Sequence, residues 1–291
     1  MQNYVLFTDT DTDITPEIAK EYGYHVISMP YCIDGKTIYP YEDFEVFDAK
    51  PFYDMLRSGT LTTTSGIGEE KYRNYFEPVL AEGKDILYLH FSRALSATFE
   101  VMERVVGELL EKYPERKIQT FDLKSATTLS LLMIHEAGAM YKEGKTADEI
   151  LAWAEKEVDH FAMYMFVDDL KFFKRSGRVS GLAATMGTML GIRPMIHISD
   201  EGKLVNIDKI KGRAKALEQL VNYVEELGDD LENHRLIVGN SDAGEMVDDL
   251  VAMLRERFGD KIQIEISMVN PTLGSHCGPN GIGVAFHAIH R

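Results

Sequence analysis

Two hydrophobic rhythms alternate along the first half of the chain. Short, mainly apolar runs at residues 4–8, 24–29, 86–91 and 117–121 read as strands, and 86–91 is apolar enough to be buried on both faces. Between them, apolar residues recur at helical spacing. Phe52, Met55 and Leu56 follow a capping Asp48, and Met102, Val105, Val106, Leu109, Leu110 and Tyr113 follow Ser96. Thr15-Pro16 pairs an N-cap with proline at the first helical position, and Thr146–Glu149 forms a capping box. Further helices are expected at 69–81 and from about 126 to 142. Asp34-Gly35 marks a small hairpin, and 60–66, six hydroxyl or glycine residues in seven, reads as a loop. Alternating strands and helices predict a three-layer α/β/α domain over residues 1–160 with a mainly parallel sheet.

After residue 160 the rhythm changes. A strand at 161–167 precedes a basic, glycine-containing loop at 174–180 and a methionine-rich helical segment at 182–190. A hairpin turning at Asp200-Glu201-Gly202, two amphipathic helices and strands at 236–240, 262–267 and 282–288 complete a second α/β domain, 161–291, with a mixed sheet.

Composition narrows the function. A chain of 291 residues, 45% hydrophobic, can bury two ordinary cores. A net charge of -16 argues against nucleic acid and anionic membrane surfaces as partners. Cys32 and Cys277 have no metal-ligand spacing, and the chain shows neither a signal-peptide pattern nor a membrane-spanning run, so a cytoplasmic protein without stable membrane insertion is expected.

Four constellations could carry chemistry. Strand 86–91 leads through Ser92–Leu95 to Ser96 at a helix start, a crevice of positive partial charge suited to an anion or simply an ordinary strand–helix connection. Asp9, Asp11 and Asp13 follow the first strand. They fail as a calcium loop, because Ile14 and Lys20 stand where glycine and glutamate are needed. Asp9 and Asp11 also mimic a haloacid dehalogenase-like phosphatase, the alternative reading. His276 lies in a glycine-rich stretch read as a loop. A basic group (Arg175, Arg178, Arg213 and neighbouring lysines) and an apolar group (Met163, Met165, Phe166, Met186, Met189, Leu190, Ile196) belong to the second domain, the latter suited to a flexible hydrocarbon.

These pieces, in this order, resemble the DegV family of fatty acid-binding proteins. Asp9-Thr10 with Asp13, Thr64-Ser65-Gly66-Ile67, Ser92–Thr98, Lys174–Ser180, Arg193–Ile196 and Gly274–Gly281 each correspond to a family motif. Arg93, Ala97, Gly66 and Ile67 depart from the family's usual residues. The resemblance implies two domains with one long-chain fatty acid at their junction. Thr64, Ser65, Ser96 and His276 would contact its carboxylate, with the apolar group lining the acyl chain. It implies an acyl carrier with no catalytic activity and no cofactor. Its partner would be a separate fatty acid kinase, whose acyl-phosphate product feeds phospholipid synthesis. Arg175, Arg178 and Arg213 would dock that kinase or hold the phosphate.

Overall fold

The computed structural model describes residues 3–180 and 191–291. The chain opens with β1 (Tyr4–Asp9), a 3-10 turn (Thr10–Thr12), α1 (Pro16–Tyr22) and β2 (His25–Ile27). A hairpin of β3 (Tyr31–Ile33) and β4 (Lys36–Ile38) precedes α2 (Ala49–Arg57), β5 (Thr62–Thr64), α3 (Glu69–Ala81) and β6 (Asp85–His90). A second 3-10 turn (Arg93–Leu95) leads to α4 (Thr98–Lys112), β7 (Ile118–Asp122), α5 (Thr127–Lys142) and α6 (Ala147–Glu157). Then come β8 (Phe161–Phe166), α7 (Lys171–Ser176), β9 (Val179–Ser180), β10 (Ile192–Ile198), β11 (Leu204–Lys211) and α8 (Arg213–Leu227). The chain ends with β12 (Arg235–Asn240), α9 (Glu245–Phe258), β13 (Gln263–Met268), α10 (Pro271–Cys277) and β14 (Ile282–His287).

The first sheet is fully parallel, in the order β2-β1-β6-β7. Strand alternation sends Val5, Phe7, Ile86 and Tyr88 to one face, against Tyr72 and Phe76 of α3 and Phe99, Met102 and Val105 of α4. Tyr4, Leu6, Leu87 and Leu89 take the other face, against α1, α5 and α6. The second sheet is mixed, in the order β13-β12-β14-β8-β10-β11-β9. Its β12–β13 and β9–β11 pairs are parallel and the rest antiparallel. One face carries α8 and α9. The other shares a core with α5, whose Leu129, Leu131, Leu132 and Ile134 pack with residues of both sheets, among them Leu6, Leu89, Phe161 and Ile237. That position accounts for the nearly unbroken apolar sequence of α5.

Several local expectations change. The stretch 60–66 is not all loop, because Thr62–Thr64 pairs antiparallel with β3 in a small sheet ordered β4-β3-β5. Ser96 is not the N-cap of α4. Ala97 holds that place without a side-chain bond, and the Ser96 hydroxyl accepts from the Thr98 amide at 3.3 Å just outside the helix. Asp48 precedes α2 but makes no capping bond. The basic segment 174–180 is the end of α7, a left-handed Gly177 and the short strand β9. His276 sits in helix α10, since Asn270 caps it and Pro271 occupies its first turn. The expected helical segment 182–190, with Met186, Met189 and Leu190, lies outside the described residues.

Two glycines let α10 settle where it does. A Cβ at Gly274 would come within 2.6 Å of the Tyr53 hydroxyl, which donates to Val269 O at 2.8 Å. Gly278, at φ +71°, ends the helix in a conformation that disfavours side chains, and a Cβ there would lie 2.2 Å from the Phe172 ring.

Candidate functional site

The turns after β1 and β6, strand β5 and helix α10 converge on a small polar chamber. Asp11, Met29, Thr64, Ser65, Gly66, Phe91, Leu95 and Ser96 line it from the first half of the chain. Arg178, Leu204, Thr272, Leu273 and His276 line it from the second. Four of the sequence-predicted residues, Thr64, Ser65, Ser96 and His276, are thus brought together. Thr64 Oγ1 and His276 Nε2 are hydrogen-bonded at 2.8 Å. Burial, then the positive charges of Arg178 and Arg175, push the His276 imidazole down to about 4. At neutral pH it is therefore an uncharged ring.

An apolar cavity begins at the same histidine. Leu95, Leu204, Leu273 and His276 line both spaces. From there the cavity runs past Met163, Met165, Phe173 and Ile198 to Thr128, Gly239 and Gly283. The free space along this lining, open solvent included, is about 580 Å³.

Of the described residues in the predicted apolar group, Met163 and Met165 line this cavity. Phe166 does not. Successive residues of β8 point to opposite faces, so Phe166 joins Ala162 and Tyr164 in the core beneath α8 and α9. Ile196 stands behind the wall, fully buried with Val167, Phe173 and Cys277.

The three arginines are separated. Arg178 reaches the chamber and also borders an open cleft with Arg93, Ser96, Ser180 and Lys203. Arg175 donates to Thr62 O at 3.0 Å and Ser275 O at 3.4 Å, tying β5 to α10. Arg213 pairs with Asp168 at 2.7 Å, beside Arg193 on the same carboxylate, and does not line the chamber.

The acidic turn after β1 is structural on two sides. Asp9 is fully buried and accepts from Asp11 N at 3.1 Å, Tyr88 Oη at 2.9 Å and Phe91 N at 3.1 Å. Burial nonetheless lifts it to about 7. A carboxylate enclosed in this way has no open line of attack, so the phosphatase reading loses its nucleophile. Asp13 accepts from both Asn270 N at 2.9 Å and Asn270 Nδ2 at 2.8 Å, and burial raises it too to about 7. Asn270 Oδ1 in turn accepts from Thr272 N and Leu273 N, so one side chain pins α10 to the turn after the first strand.

Sequence reasoning missed the lining contributed by Met29, Phe91, Leu204, Thr272 and Leu273, scattered residues without a motif, and by Leu95, which lies within the Ser92–Thr98 motif but was given no role. It also weighed Asp11 only as part of a calcium loop or a phosphatase pattern, whereas Asp11 faces the chamber. Among the described residues no helix is long and apolar enough to cross a membrane.

Residues 3–288 match the model of a family described as "Uncharacterised protein, DegV family". A DegV domain-containing protein of Clostridium perfringens is 34% identical over 286 residues, 98% of each chain. Two solved structures share the fold. A DegV family protein of Thermus thermophilus, described as fatty acid-binding, superposes with a TM-score of 0.87 at 22% identity, over 99% of this chain and 100% of that one. A DegV family protein of Eubacterium eligens loaded with heptadecanoic acid gives a TM-score of 0.82 at 18% identity, over 98% and 99%. By family model and by sequence identity across nearly its whole length, the chain belongs to the DegV family.

Proposed function

We propose that this protein binds one long-chain fatty acid at the junction of an N-terminal domain (1–160) and a C-terminal domain (161–291). The acyl chain occupies the apolar cavity, and the carboxylate lies in the polar chamber. Thr64, Ser65, Ser96 and His276 are its contacts. The observation that supports this reading most is the meeting of the two spaces at His276, which lines both. An amphiphile with one polar end and a flexible apolar tail matches that shape, and fatty acids are what the Thermus and Eubacterium relatives hold.

Energetics divide the work between the two ends. About 15 methylenes buried at ~0.8 kcal/mol each give roughly 12 kcal/mol gross. Hydroxyls and a neutral histidine donating to a carboxylate add roughly 1.5–3 kcal/mol per bond and fix its orientation. Such retention suits a carrier that does no chemistry itself. A separate fatty acid kinase would phosphorylate the presented carboxylate, supplying acyl-phosphate for phospholipid synthesis. Arg178, at the boundary of chamber and open cleft, is the arginine best placed to meet that partner or the phosphate.

Calorimetric titration with palmitate tests the reading. His276→Ala removes a donor and leaves Thr64 unpaired, so affinity should fall about 10–100-fold while long chains remain preferred over short ones. Unchanged affinity would remove His276 from the headgroup site, and absence of binding to any fatty acid by the unaltered protein would remove the function.

A further inference from the structure

Asp11 is the side chain of the chamber that its surroundings leave unsatisfied. It is only 4% exposed, it lines the chamber, and its Oδ1 has no hydrogen-bond partner among the described residues. Its neighbours in the same turn do have donors: Asp9 has three and Asp13 Oδ1 has two from Asn270, although Asp13 Oδ2, which does not line the chamber, has none among the described residues. An ionised carboxylate held this way, without a cation or donor, is costly enough that the group keeps its proton. Burial first, then the charges of Asp9 and Asp13, raise Asp11 well above the ordinary carboxylate range. A protonated carboxyl is a donor, and an O–H donating to a carboxylate makes a short, strong hydrogen bond.

We propose that Asp11 is a further headgroup ligand, a neutral carboxylic acid that donates its proton to the bound fatty acid carboxylate. The inference rests on the fatty acid reading above. It assigns a ligand role to a residue that the family pattern quoted above leaves open, between Asp9-Thr10 and Asp13. The consequence is a site in which an anion is held by donors that carry no net charge on the turn itself. Retention then depends on pH. Above the point where Asp11 ionises, two carboxylates face each other, and the fatty acid must bring a proton with it or leave.

The groups facing Asp11 are few. Its own turn contributes Asp9 and Asp13, β6 contributes Tyr88, and α3 contributes Tyr72. Across the chamber stand His276 of α10 and Arg178 beside β9. Helix α5, which packs on the turn, gives the chamber no lining residue. His276, pushed down to about 4, stays neutral from pH 6 to 9 and adds no slope of its own. Asp9 and Asp13, at about 7, do titrate in that window, but they do so in every variant of position 11 and are removed by comparison.

The test is the sign of two substitutions. Palmitate affinity is measured by calorimetry at pH 7 for the unaltered protein, Asp11→Asn and Asp11→Ala. An amide still donates, so Asp11→Asn should bind within about threefold of the original, whereas Asp11→Ala should bind about tenfold more weakly. If Asp11 were an ionised neighbour of the ligand, both substitutions would tighten binding, and if it made no contact neither would change it; either result overturns the proposal. The pH profile provides a second readout. Affinity should fall with rising pH more steeply in the unaltered protein than in Asp11→Asn, and equal profiles for the two would overturn the proposal. Absence of palmitate binding by the unaltered protein at every pH would instead remove the fatty acid reading itself.

Discussion

Replacing Asn270 by alanine should cost about 2–4 kcal/mol of stability, the sum of a lost helix cap and lost donors to a buried carboxyl. The side chain accepts from Thr272 N and Leu273 N, and it donates to Asp13 Oδ1 at 2.8 Å. Thr272 Oγ1 adds a bond to Met29 O at 2.7 Å, so the start of α10 is stitched to both the first and the second strand regions. Loosening that end would swing His276 away from Thr64, and fatty acid binding should weaken with stability. Chemical unfolding at pH 7 measures the first effect and palmitate titration the second. Asp13 makes the sign of a second variant informative. Its folded-state carboxyl is raised to about 7, so it is largely protonated below that pH and ionised above it. Asn270→Asp should therefore be tolerated better at pH 5.5 than at pH 8.5, where a second carboxylate would face the first. A stability loss under 1 kcal/mol for Asn270→Ala would show that α10 is held by its apolar contacts alone.

The second large effect is expected at Met165. It is one of the two methionines of β8 that face the apolar cavity, and it is only partly buried because that cavity is open beside it. Tryptophan exceeds methionine by roughly three methylene volumes, so Met165→Trp should take the place of about three buried methylenes of ligand. At ~0.8 kcal/mol each, affinity for C16–C18 acids should fall about 50-fold, while acids about three carbons shorter bind as well as before. Phe166, one position along, is the control. Phe166→Leu should lower stability through the α8–α9 core and leave chain-length preference unchanged. Equal losses for all chain lengths in Met165→Trp would mean that the acyl chain does not run past β8.

What the sequence made legible follows from how local each signal is. Alternating strand and helix periods gave the parallel sheet and its covering helices, because those periods are written in neighbouring residues. The capping box at Thr146 and Glu149 is present as expected, with Thr146 N donating to Glu149 Oε2 at 2.8 Å. The glycine-rich stretch around His276 misled for a physical reason. Gly274 and Gly278 are there for close packing against Tyr53 and Phe172, which is invisible in the sequence, and they masked the Asn270-Pro271 helix start that was visible. The hydroxyl-rich stretch 60–66 contains a strand because β3 lends it hydrogen-bond partners from thirty residues away.

The candidate site was legible where it coincided with a motif. Thr64, Ser65, Ser96 and His276 line one chamber, although they are drawn from three separate segments of the chain. The basic group was not, because like charges close in sequence need not share a face. Arg175 spends its guanidinium on two carbonyls, Arg213 on Asp168, and only Arg178 reaches the chamber. Phe166 was grouped with its methionine neighbours by composition, whereas the period of two along β8 assigns it to the other face. Asp11 could have been singled out only by knowing that Asp9 and Asp13 already have partners.

Mass spectrometry of an organic extract of the protein, purified without added lipid, tests the central claim most directly. The account predicts one long-chain fatty acid per chain in the unaltered protein, and a shorter or depleted acid in Met165→Trp. A clean extract, joined to failure of the same preparation to take up added fatty acids, would contradict it.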